Sequence, residues 1–71
     1  MILELNVVTD KIKATIHVPI NKIDYAIKTK EYGPCIRING MTFELDQVNY
    51  MKVLNAFKIK NLEELNGGKN E

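Results

Sequence analysis

The chain has 71 residues, of which 45% are hydrophobic and 27% charged, and its formal net charge is +1. This length excludes two independently folding domains, and the composition lies outside the range of weakly hydrophobic, highly charged chains that stay disordered. The small net charge argues against a protein that binds nucleic acid through its overall charge. A core of this size rarely contributes more than about 3 to 5 kcal/mol, so we expect the chain to gain stability as a homo-oligomer.

Cysteine content and hydropathy indicate a cytoplasmic protein. Cys35 is the single cysteine and cannot close an intramolecular disulfide. The chain opens on alternating polar and apolar residues, which is unlike a secretory signal. Nowhere do apolar residues run for the roughly 18 to 20 positions needed to cross a bilayer. We therefore expect no membrane partner.

Two alternating segments at the start of the chain predict a β-hairpin. In residues 2–8, the apolar side chains of one parity are Leu3, Leu5 and Val7. In residues 11–18, four apolar residues alternate strictly with polar ones: Ile12, Ala14, Ile16 and Val18. Pro19 has no N–H for a strand ladder and marks the end of the second strand.

Residues 20–32 fit two interpretations. As a helix, Asn21 would be the N-cap with Asp24 three residues later, and Gly33-Pro34 would stop the helix. As a strand, β-branched or aromatic residues alternate with Asp24, Ala26 and Lys28. The apolar face of that strand would comprise Ile23, Tyr25, Ile27 and Thr29. We favour the strand, with Tyr25 facing the core.

The pair Asn39-Gly40 predicts a two-residue type I′ turn between two further strands. A turn of this length places Ile36 opposite Phe43 and so sets the register of the hairpin. One face of the hairpin then carries Ile36, Ile38, Met41, Phe43 and Leu45. The other face carries Cys35, Arg37, Thr42 and Glu44.

Asp46 is predicted to cap a helix of about three turns, because apolar residues follow it at spacings of three and four. We expect this apolar stripe to pack on the sheet: Val48, Tyr50, Met51, Val53, Leu54 and Phe57. Asn61 and Glu64 repeat the N-cap pattern for a short last turn, which Gly67-Gly68 would end.

The predicted fold is a single α+β domain spanning residues 1–66, followed by a flexible tail at residues 67–71. A small antiparallel sheet of about five short strands, a meander of hairpins, is covered on one face by the C-terminal helix. The residues expected in the core are Leu3, Leu5, Ile12, Ile16, Ile36, Ile38, Phe43, Leu54 and Phe57.

No residue pattern in the chain predicts catalysis or a metal or cofactor site. The chain has no serine for a Ser-His-Asp triad, and Cys35 with His17 is its sole Cys-His combination, without a supporting local motif. Structural zinc needs four ligands, mostly Cys and His, and the chain has one of each. It has neither calcium-loop spacing of acids nor a glycine-rich phosphate loop. We predict that the protein is not an enzyme and has no cofactor.

By elimination, the predicted function is a small binding module that acts on a protein partner. It would serve as an inhibitor, an adaptor or a regulatory accessory protein, of the type found in phages and mobile elements. The alternative is nucleic-acid binding through a basic sheet face, which would follow a phosphate backbone. The candidate residues for that alternative are Lys11, Lys13, Lys28, Lys30 and Arg37.

The protein partner is favoured over nucleic acid for two reasons. Lysine on strands is an ordinary means of preventing edge-to-edge pairing of sheets, so the cations do not require a phosphate ligand. In the predicted register Tyr25 and Phe43 point inward, which leaves only Tyr32 to stack on bases.

Overall fold

In the computed structural model, residues 1–69 are described, and side chains are described for residues 1–62. Five strands form one antiparallel sheet: β1 (Ile2–Thr9), β2 (Ile12–Pro19), β3 (Ile23–Thr29), β4 (Gly33–Ile38) and β5 (Met41–Leu45). A 3-10 turn at Ile20–Lys22 joins β2 to β3, and helix α1 (Gln47–Lys69) follows β5 and packs on one face of the sheet. The predicted α+β architecture is confirmed.

The strand order is β2-β1-β5-β4-β3, so β2 and β3 are the two edges. Consecutive strands form hairpins at β1–β2, β3–β4 and β4–β5, as in a meander. The meander is broken between β2 and β3, because β5 instead pairs with β1 through Val7 opposite Leu45 and Val8 opposite Glu44. This one pairing joins the two halves of the sheet.

Residues 20–32 contain a strand rather than a helix, but the predicted orientation of that strand is wrong beyond Asp24. Ile23 pairs with Ile38, and Tyr25 pairs with the very next residue of β4, Arg37, so Asp24 is an extra residue in a β-bulge. A bulge reverses the alternation that follows it. Tyr25, Ile27 and Thr29 therefore face away from α1, whereas Ala26 and Lys28 face toward it.

The core lies between α1 and the sheet, with Leu5, Ile36 and Val53 fully buried. The other buried members are Val7, Val18, Ile20, Ile23, Leu45 and Ala56. Among the predicted core residues, Leu3, Ile16, Ile38, Phe43, Leu54 and Phe57 are half-buried. Ile12 was wrongly placed in the core: it begins the edge strand β2 and is 64% exposed.

Helix α1 is continuous, so the predicted new N-cap at Asn61 is wrong, and the helix runs through Gly67-Gly68 to Lys69. Its buried side is built on Asn49, Val53 and Ala56. Val48 and Met51, predicted to be buried, are exposed, because a sheet covers only one side of a helix. Asn70 and Glu71, in the predicted tail, lie outside the described residues.

The start of α1 is capped as predicted. Oδ1 of Asp46 accepts hydrogen bonds from the backbone N–H of Asn49, at 2.7 Å, and from its side-chain Nδ2, at 2.8 Å. These bonds favour the ionised carboxylate and lower the pKa of Asp46 below its usual value.

Candidate functional site

We use "open face" for the sheet face turned away from α1, whose side chains lie in rows across the strands. Directly paired residues share a face, so the register defines these rows. One row crosses all five strands and comprises Ile27, Cys35, Glu44, Val8 and Lys13. A neighbouring row comprises Tyr25, Arg37 and Thr42.

A shallow groove of about 430 Å³ lies on the open face. Its largest exposed apolar side chains are those of Tyr25, Ile27 and Tyr32, which are 47%, 46% and 67% exposed. Val8 contributes from the far side of the groove, and its polar lining includes Thr42, Arg37 and Glu44. The volume falls in the ordinary range of binding pockets, about 300 to 1,000 Å³.

The turn between β3 and β4 brings Tyr32 to this groove. The backbone N–H of Tyr32 donates a hydrogen bond to Oγ1 of Thr29 at 3.0 Å, which ties the turn to the end of β3. Gly33 follows with a φ of +68°, a conformation that L side chains rarely adopt. Together these features hold one aromatic ring in the turn beside the open face.

The bulge at Asp24 places a second aromatic ring, that of Tyr25, on the open face. Without the extra residue, the alternation of β3 would place Tyr25 on the helix side and Ala26 on the open face. Sequence reasoning therefore missed Tyr25 and Ile27 as surface residues. The one local signal was Asp24 itself, a residue type depleted from strands, within a run of β-branched and aromatic residues.

Cys35 lies on the open face but is buried, and its thiol donates a weak hydrogen bond to the carbonyl oxygen of Gly33 at 3.7 Å. Burial raises the pKa of this thiol, and the negative charge of Glu44 raises it further. His17 lies on β2, three strand spacings or about 14 Å across the sheet from β4. The thiol thus has neither a nearby histidine nor a lowered pKa, and it packs as a small apolar group.

The five cations of the nucleic-acid alternative are dispersed rather than clustered. Lys13 and Arg37 lie on the open face, and Lys11 and Lys30 lie in the turns that follow β1 and β3. Lys28 lies on the helix side, where its Nζ donates a hydrogen bond to Oε1 of Gln47 at 3.2 Å. The bulge is again the reason, because it moved Lys28 from the predicted face to the opposite one.

The strand residues of the open face are balanced in charge. Lys13 and Arg37 are positive, and Glu4 and Glu44 are negative. His17 also lies on this face, beside Glu4, with 3.7 Å between Nε2 and Oε1. The expectation of a basic sheet face does not hold for these residues.

Comparison of the chain with models of protein families, with curated protein sequences and with solved structures finds no match. The surface chemistry of the described residues is therefore what indicates a function. Within that part of the chain, no three His, Cys, Asp or Glu side chains converge to hold a metal ion. Nor does a described helix combine the length and the apolarity needed to cross a membrane.

Proposed function

We propose that this protein is a non-enzymatic binding module that docks on a protein partner through the open face of its sheet. The observation that carries the proposal is the exposure of Tyr25, Ile27 and Tyr32 around one groove. Contiguous exposed apolar side chains on a small domain mark an interaction surface. Tyrosine is also among the residue types that dominate the binding energy of protein interfaces.

The polar groups of the groove support the same proposal. Arg37 is half-buried beside Tyr25, and Glu44 lies on the adjacent strand. An apolar centre with charged groups of both signs around it is the usual composition of a protein-binding patch. A chain of this size would act by occupying its partner's surface, as an inhibitor, an adaptor or a regulatory accessory protein.

Nucleic acid is a second candidate ligand, which one specific observation favours. Tyr25 and Tyr32 both lie at the open face, so Tyr32 is not the only aromatic ring there that could stack on bases. Arg37 and Lys13 would contact phosphates. The balanced charge of the face weighs against this candidate, because affinity for nucleic acid comes largely from phosphate neutralisation.

The protein-partner proposal is tested by capturing proteins from a lysate of the source cells with the wild-type chain and with two matched variants. Ile27→Lys places a charge in the groove, and Ile12→Lys makes the same change at an exposed site that faces away from it. We expect a partner that the wild type and Ile12→Lys retain and Ile27→Lys loses. Equal retention by all three would overturn the proposal.

The two candidates are separated by measuring fluorescence anisotropy with labelled single-stranded and duplex DNA and RNA at about 50 mM salt. The protein-partner proposal predicts no binding. A nucleic-acid binder would bind all sequences similarly, and removing Lys13 and Arg37 together would reduce its salt slope by about two units. Substituting Tyr25 by Ala would also weaken such binding, through lost stacking.

A further inference from the structure

The outward side of α1 carries an apolar stripe that the sheet does not cover. Val48, Met51, Ile59 and Leu62 are 69%, 43%, 47% and 55% exposed, and the exposed Asn55 lies at the centre of the stripe. At 3.6 residues per turn, these five positions fall within an arc of about 80°, whose centre lies about 160° around the helix from the buried Val53 and about 100° from the buried Ala56. A surface helix normally has one apolar side, so a second one points to another contact.

The spacing of the stripe is symmetric about Asn55. Its apolar residues lie seven and four positions before Asn55 and four and seven positions after it. If two copies of the helix packed antiparallel with Asn55 at the midpoint, Val48 would meet Leu62 of the second copy. Met51 would likewise meet Ile59. An interface between identical chains related by a two-fold axis requires this kind of self-complementarity.

The one polar residue of the stripe fits the same arrangement. A carboxamide both donates and accepts hydrogen bonds, so two copies of Asn55 that meet on a two-fold axis can satisfy one another. A single asparagine in an otherwise apolar helix seam is a known means of fixing register and partner number. In a partner helix of unrelated sequence, nothing would place a matching amide opposite Asn55.

We propose that two copies of this protein associate through the outward stripe of α1, antiparallel, with Asn55 on the two-fold axis. The stripe covers four helical turns, about 21 Å. A patch of this length and one helix diameter wide, about 10 Å, is smaller than the roughly 800 Å² per partner of a stable complex, so the dimer forms weakly, with a dissociation constant in the micromolar range.

The dimer has a consequence for the binding face. Because α1 covers the sheet face opposite the open face, the two helices would lie at the centre and the two open faces on the outer surfaces. The dimer would then engage two partner molecules at once, with the gain in avidity that bivalence provides. Only this consequence rests on the proposed function; the self-association does not.

Sedimentation equilibrium over about 5 µM to about 1 mM protein tests the dimer. Met51→Glu alone and Ile59→Lys alone should each raise the dimer dissociation constant about tenfold or more, because each replaces an apolar contact of the seam by a charge. The double variant should recover affinity, since the new carboxylate at position 51 meets the new ammonium at position 59 of the second copy. In a parallel dimer, position 51 would face position 51 of the second copy and position 59 would face position 59. Like charges would then meet, and the double variant would not recover affinity.

The control is Ile27→Lys, which lies on the open face and should leave the dimer dissociation constant unchanged. Circular dichroism verifies that each variant is folded. A wild-type chain that stays monomeric throughout, single variants that dimerise normally, or a double variant without recovery would each overturn the proposal. Partner capture by Met51→Glu at low concentration tests the open face separately, so the failure of one proposal is distinguishable from the failure of the other.

Discussion

The backbone N–H of Asn6 on β1 donates a hydrogen bond to Oδ1 of Asn49 on α1, with 3.0 Å between the two atoms. Asn49 is only 3% exposed and is the one buried polar residue among the described side chains. Pairing between β1 and β5 begins at Val7, so β5 has no residue paired with Asn6. The side chain of Asn49 provides the hydrogen-bond acceptor at that position instead. Its Nδ2 donates to Asp46, which links the helix cap to the strand.

Asn49→Ala should lower the free energy of unfolding by about 1 to 3 kcal/mol, because the part-buried backbone N–H of Asn6 would lose its acceptor. Urea unfolding followed by circular dichroism measures this change. Asn61→Ala, at an exposed position of the same helix, is the control and should shift stability by no more than about 0.5 kcal/mol. Similar losses in the two variants would contradict a structural role for the Asn49 bond.

Ile36→Ala should destabilise the protein by about 2 to 5 kcal/mol, since Ile36 is fully buried and its truncation leaves a cavity. Ile12→Ala removes the same atoms from an exposed position and should have little effect. Equilibrium urea titrations of both variants give the comparison. Equal urea midpoints would show that the assignment of Ile36 to the core is wrong.

Gly40→Val should destabilise the β4–β5 hairpin through the backbone alone. Asn39 and Gly40 have φ values of +50° and +81°, as a type I′ turn requires, and no atom lies within 4 Å of a Cβ built on Gly40. The expected loss is about 1 to 2 kcal/mol for a side chain held in this left-handed conformation. Gly40→Asn should lose less, because asparagine tolerates positive φ; thermal melts that rank the two variants in reverse order would refute the explanation.

Asp46 should make the stability of the fold depend on pH. Its pKa is lowered in the folded state, so the ionised cap stabilises the fold above the carboxyl's ordinary pKa, and this contribution is lost as pH falls through the lowered value. The urea midpoint of the wild type should therefore fall below about pH 4. Asp46→Asn keeps an acceptor at the cap without a titrating group, so its midpoint should fall less; identical pH profiles would exclude Asp46 as a source.

Local chemistry was sufficient to predict those parts of the fold that depend on neighbouring residues. Asn39-Gly40 determined both a turn and the register of β4 with β5, because positive φ at two successive positions admits few residue types. Asp46 was identified as a helix cap because its carboxylate reaches the N–H three residues later. The alternation of residues 11–18 identified β2 in the same way, although Ile12 at its start remains exposed.

Only the tertiary structure determined which elements meet and which side chains remain exposed. The pairing of β5 with β1 joins residues far apart in the chain, and no local pattern encodes it. Helix α1 has apolar residues on two sides, and only packing against the sheet selected the side of Val53.

The bulge at Asp24 had the largest effect on the candidate site. One additional residue in β3 reversed all later side chains of that strand, because alternation along a strand has a period of two. It thereby placed Tyr25 on the open face and Lys28 against the helix.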